Sequence, residues 1–152
     1  MRSQDTFYVS LDELASIAAR FEEGSLCRSQ WHHRTHLVVA VWYLSHLEEA
    51  EARQRICQGI WHYNQCQGIP NTPDSGYHET LTLFWVGVIR LFLETAEPDW
   101  SKVDLVNQLL ARYGHKKDFW RDFYSFDLLK SPEARRTWIE PDRKSLNPEN
   151  TP

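Results

Sequence analysis

Residues 81–93 read Leu-Thr-Leu-Phe-Trp-Val-Gly-Val-Ile-Arg-Leu-Phe-Leu. On a helical projection Leu81, Trp85, Val88 and Phe92 make one face, and Leu83, Val86, Leu91 and Leu93 cover much of the rest. A helix that is apolar nearly all round cannot lie on a surface, so other elements must enclose it. It is also too short and too interrupted to span a bilayer, and no membrane partner is expected.

The flanking sequence has the punctuation of helices that would supply this cover. Ser10-Leu11-Asp12-Glu13 has the capping-box form, and Leu14, Ile17, Ala18 and Phe21 follow at helical spacing. Gly24 stops this first helix, predicted over 11–23, because glycine takes the left-handed conformation without a Cβ penalty. A second helix begins at Ser29 or Gln30 and continues to about Leu47. The third covers about 49–67, with Ala52, Ile56, Ile60 and Tyr63 on one face, and ends at Gly68-Ile69-Pro70. Asn71 to Gly76 is a loop of turn residues, in which Asp74 or Ser75 caps a central helix over 76–94. Ser101-x-x-Asp104 opens a fifth helix that Gly114 ends, and Asp118 to Tyr124 reads as a short aromatic helix. Ser131-Pro132-Glu133 starts another, Ser as cap and Pro in the first turn, leading to Ile139. The expected fold is all-α: a single-domain helical bundle of about six helices over 1–143, with 144–152 a flexible C-terminal tail.

At 152 residues the chain is long enough to bury one core without staples. Cys27, Cys57 and Cys66 are odd in number and form no CxxC pair, so a disulfide framework is not expected. The first residues lack a charged start followed by an apolar run, and a cytoplasmic location follows as the expectation. A net charge of −4, without a basic stripe interleaved with aromatics, argues against nucleic acid as a partner.

Chemistry concentrates in two stretches, Trp31-His32-His33-Arg34-Thr35-His36-Leu37 and Tyr77-His78-Glu79-Thr80-Leu81-Thr82, which hold four of the seven histidines. At about 100° per residue, His36 projects near the middle of the second helix's apolar face, with His33 within about 40° of it and His32 within about 60°. Consecutive bundle helices usually run up and down, which makes the second and fourth parallel and puts His33, His36, His78, Glu79 and Tyr63 in one layer. Two imidazoles at i,i+3 and a third from a facing helix make a metal site with an open position. Glu79 is the candidate base or fourth ligand, Thr80 and Thr82 orient ligands, and Tyr77 donates to developing negative charge. Arg135 is a candidate for binding a substrate carboxylate or phosphate. Each residue also has a plainer reading: hydrogen-bonded core histidines, Glu79 favoured in a first helical turn by the dipole, and Arg135 as a surface residue or structural ion pair. Trp31 and Trp85 are candidates for lining an aromatic pocket.

His33-x-x-His36-Leu37-x-x-Ala40, Tyr77-His78-Glu79-Thr80-x-Thr82, Leu129-x-Ser131-x-x-Ala134-Arg135 and Pro141-Asp142 together resemble an uncharacterised family of small bacterial helical proteins. The resemblance covers roughly residues 30–146, and Tyr-His-Glu-Thr is its most specific element. No activity follows from it. Its HxxH pattern favours His33 over His32 and draws attention to Arg135. A looser similarity is to the DinB-like metal-binding four-helix bundles, which use three histidines from separate helices at a different spacing.

The sequence therefore predicts a metal-dependent small-molecule enzyme with a divalent ion (Zn, Fe, Mn or Ni) on His33, His36 and His78. Its reaction class is open between hydrolase or lyase and iron-dependent oxygenase. The alternative is a non-catalytic helical module that binds a ligand or partner, with the histidines packed in the core. Haem ligation is a third reading, and a homodimer is kept open as an assembly.

Overall fold

In a computed structural model, which describes residues 7–152, no residue from Glu79 to Leu93 is exposed. That stretch forms helix α4 (Glu79–Glu94). The others are α1 (Leu11–Glu23), α2 (His33–Leu44), α3 (Glu49–Cys66), α5 (Lys102–Tyr113) and α6 (Pro132–Arg136). The protein is an all-α bundle, with no β-strand among the described residues. Helices α2, α3, α5 and α6 all pack against α4, as an element with no polar face requires. No described helix is long and apolar enough to cross a membrane.

Helix α1 has the expected capping box and a left-handed Gly24 at its end. Helix α2 ends at Leu44, short of the expected Leu47, and three other boundaries differ where a side chain claims the backbone. Arg28–Gln30 is a separate 3₁₀ turn, and α2 begins only at His33, with the Thr35 hydroxyl bonded back to the Gln30 carbonyl. Neither Asp74 nor Ser75 caps α4, since both belong to a tight turn in which the Thr72 amide donates to the Ser75 carbonyl at 2.9 Å. The cap is His78, whose Nδ1 accepts from the Leu81 amide. Finally, α6 ends at Arg136 and the chain turns extended at Thr137. There the buried Thr80 hydroxyl donates to the Thr137 carbonyl at 2.7 Å and accepts from the Ile139 amide at 3.0 Å, docking the segment onto α4. The short aromatic helix is a 3₁₀ turn, Phe119–Asp122.

Residues 144–152, expected to be a loose tail, lie against the bundle. Leu146 sits over Gly87 of α4, where an added methyl would meet its Cδ1 at 3.1 Å. Thr151 is buried, and the Tyr113 hydroxyl donates to the Pro152 carbonyl at 2.9 Å. Because α4 is apolar on this side too, the C-terminal segment has a surface to cover.

Helix α1 approaches α3 closely at Gly59, where a Cβ would stand 2.6 Å from the ring of Phe21, itself fully buried. Alanine in a helix interior gains up to about 1 kcal/mol over glycine, while overpacking a core costs about 1 to 3 kcal/mol. Gly59→Ala is therefore expected to lower stability in urea unfolding. A more stable variant would mean that Phe21 moves aside freely.

Candidate functional site

Helices α2, α3 and α4 do not close on one another completely. Between them lies a chamber of about 460 Å³. Its α3 wall carries Ile56, Ile60 and Asn64, and its α4 wall Leu81, Thr82, Trp85 and Ile89. On the α2 side are Trp31, His33, His36 and Ala40. The exposed Lys117, Asp118 and Leu129 mark its mouth.

Aromatic packing holds the α2 wall. Trp31 stacks on His36 with ring centroids 3.8 Å apart, and Phe21 and Tyr63 lie against the indole at 5.1 and 4.7 Å. Tyr63 is thus a prop behind the wall and not a member of the site: it is buried, and its hydroxyl donates to the Leu26 carbonyl at 2.7 Å. His33 packs against Trp85 at 4.8 Å. Its Nε2 donates to the Tyr113 carbonyl at 3.0 Å, which fixes the proton on that nitrogen and leaves Nδ1 a lone pair.

His36 lines the chamber and is half-buried. Burial, reinforced by His33 and His32, pushes its pKa down to about 3. Burial also lowers His33, against the opposing pull of the Tyr113 carbonyl. Both rings are neutral near pH 7. Among the described residues, no protein group hydrogen-bonds to the His36 ring.

The residues expected to complete the layer are occupied elsewhere. His33 meets Trp85, about two turns along α4 from His78. His78 is buried with both ring nitrogens taken: Nδ1 accepts from the Leu81 amide at 3.1 Å, and Nε2 donates to the Leu128 carbonyl at 2.7 Å. It has no lone pair to give a metal without breaking one of them. No group of three or more His, Cys, Asp or Glu suited to a metal ion occurs among the described residues. Glu79 accepts from the Tyr77 hydroxyl at 2.5 Å and does not line the chamber. Burial and then the hydrogen bonds with Cys57 and Glu79 raise the Tyr77 phenol above its ordinary value, so it stays a neutral donor. Thr80 is the clamp already described. Arg135 spans the Gly76 carbonyl at 2.9 Å and the Leu129 carbonyl at 3.2 Å, fastening the 71–77 loop to the segment before α6. His32 is exposed and lies on another surface cleft.

Of the residues singled out from sequence, His33, His36, His78, Tyr77 and Thr82 border the chamber with Trp31 and Trp85, but only some have free polar atoms there. Sequence reasoning missed Asn64, whose Nδ2 donates to Asn71 Oδ1 at 2.9 Å; that oxygen also accepts from the Tyr77 amide at 2.9 Å. A polar residue on the inward face of α3 was the available signal. Gly76, at φ +81°, lets the loop turn tightly, since a Cβ there would meet the Pro70 carbonyl oxygen at 2.2 Å. Nothing in the sequence distinguishes Lys117 and Asp118 from any charged turn.

Comparison with protein-family models, curated proteins and solved structures finds no match for this chain.

Two outcomes follow from the histidine environments. Below the ordinary histidine value of 6.5 and down to about 3, the unfolded chain takes a proton at His36 that the folded chain refuses, so stability falls as pH falls through this window. His33 and His78, also lowered, act in the same direction. His36→Gln is expected to flatten the drop in unfolding free energy between about pH 7 and about pH 4; an unchanged drop would mean that the ring is solvated. His78→Ala removes a helix cap and is expected to cost about 0.5 to 2 kcal/mol, with the metal content of the purified protein unaltered. Loss of a stoichiometric metal in that variant would restore His78 as a ligand.

Proposed function

We propose that this protein binds a small, largely apolar molecule in the chamber between α2, α3 and α4, with His33 and His36 as the polar groups that orient it. The observation that carries this reading is a cavity of about 460 Å³ with apolar walls, interrupted on the α2 side by two neutral imidazoles. Small-molecule sites have this character: about 300 to 1,000 Å³, mostly apolar, with a few placed polar groups. Ordinary interiors instead pack to near-crystal density and keep few voids larger than a water molecule.

Trp31 and Trp85 add apolar ring surface to the lining, and among the described residues the His36 imidazole has no hydrogen-bond partner to compete with a ligand. A neutral imidazole is also the group that takes a proton from a bound O–H or N–H, so acid–base catalysis on the ligand is compatible with the same site. The metal-dependent reading has less support. His33 and His36 are neighbours on α2, but His78 is committed to two main-chain bonds, which leaves two imidazoles of the proposed three.

Toluene is a suitable first probe, since it asks only for apolar space. It is expected to bind saturably and to raise the melting temperature by mass action. Ala40→Leu, which extends a chamber-lining side chain into the cavity, is expected to weaken toluene at least ~10-fold, equivalent to about 1.4 kcal/mol. Absence of saturable binding by calorimetry, or equal binding in the filled variant, would sink the reading.

A further inference from the structure

The balance of charge and hydrogen-bonding capacity in the chamber narrows the chemistry of its ligand. Among the described residues, only two charged ones border it, Lys117 and Asp118, opposite in sign, adjacent in sequence and exposed at the mouth. No charged side chain lies along the α2, α3 or α4 walls. A carboxylate or an ammonium carried inward would lose its hydration without meeting a counter-ion, which costs several kcal/mol per ion.

The unclaimed polar atoms suit a neutral group, such as a hydroxyl, that donates and also accepts. His33 spends its N–H on the Tyr113 carbonyl and keeps a lone pair at Nδ1. His36, neutral and unpartnered, has one ring nitrogen that accepts and one that donates. The Thr82 hydroxyl on the opposite wall has no hydrogen bond from its side chain to another described residue and serves in either role. Other polar groups that would favour an anion are committed elsewhere: the His78 N–H goes to Leu128 and the Tyr77 hydroxyl to Glu79, while Arg135, whose Nε alone lacks a partner, gives both terminal nitrogens to carbonyls and does not border the chamber.

We infer that the chamber is selective for an uncharged aromatic molecule bearing an O–H or N–H donor, of the phenol class, over charged molecules of the same size. The inference rests on the small-molecule reading given above and sharpens it. The donor goes to the α2 imidazoles, and the ring lies among the indoles of Trp31 and Trp85. Desolvated acceptors of this kind discriminate strongly, because a ligand without the donor leaves a buried lone pair unmet.

The test compares four probes of similar size on the full chain by calorimetry: toluene, phenol, benzoate and benzylammonium. Phenol is expected to bind about tenfold more tightly than toluene, the gain of one net hydrogen bond in a desolvated site, and both ions more weakly than phenol. His36→Leu is expected to abolish the preference for phenol while keeping toluene binding, which shows that the variant is folded and its chamber open. His36→Phe, which keeps a flat ring against Trp31 but removes both nitrogens, gives a second variant should His36→Leu not fold. Retention of the full phenol preference in whichever of the two folds would overturn the inference. Toluene binding with no advantage for phenol, or with benzoate or benzylammonium preferred, would overturn the ligand class and leave the chamber as a small-molecule site. No binding of any probe would remove the site reading itself and this inference with it.

Discussion

Helix α4 has no exposed residue from Glu79 to Leu93, and its apolar side chains are buried or half-buried on every side. Enclosing it explains much of the rest of the architecture. Helices α2, α3, α5 and α6 take parts of its circumference, the extended segment after Arg136 is pinned to it through Thr80, and the C-terminal residues reach its remaining side at Gly87.

Enclosure by helices leaves a gap where α2, α3 and α4 meet. Large flat rings occupy the surfaces where α2, α3 and α4 meet, and Trp31 is held upright by Phe21, Tyr63 and His36 together. Rings stacked in this way stand along the α2 side of the place where these helices fail to close. The space left over is the chamber. Its histidines sit in a low-dielectric environment that disfavours their charged forms, and this makes them neutral hydrogen-bonding groups at a pH where an exposed imidazole begins to titrate. Packing and function are linked here, because the same stack that props the wall also dries His36.

The two histidine stretches were legible as sites of interest because each stands at the start of an apolar helix, where polar aromatic residues are unusual. His33 and His36 line a cavity. His78 and Glu79 were read in the same way and turn out to be spent on local bonds: His78 caps its own helix, and Glu79 takes the Tyr77 hydroxyl. Periodicity records which face a side chain occupies. It carries no information about a carbonyl such as that of Leu128, fifty residues away in the chain, which claims the second nitrogen of His78. The aromatic lining was half visible, in that Trp31 and Trp85 could be picked out beside the histidines, whereas Asn64 and the mouth residues Lys117 and Asp118 acquire a role only through proximity.

By itself, the sequence determined that the chain is all-helical, where its helices begin and end to within a few residues in most cases, and which helix is central. Those properties come from capping groups, glycine and proline conformations and apolar spacing, all of which act within a few residues of chain. Only the tertiary structure decided that α2 and α4 meet with an offset, that His78 serves the main chain while His36 is left unpartnered, and that the last residues fold back. The reason is that hydrogen-bond partners and desolvation depend on groups brought together from distant parts of the chain, and the alignment of packed helices is set by how their side chains fit, which no local pattern encodes.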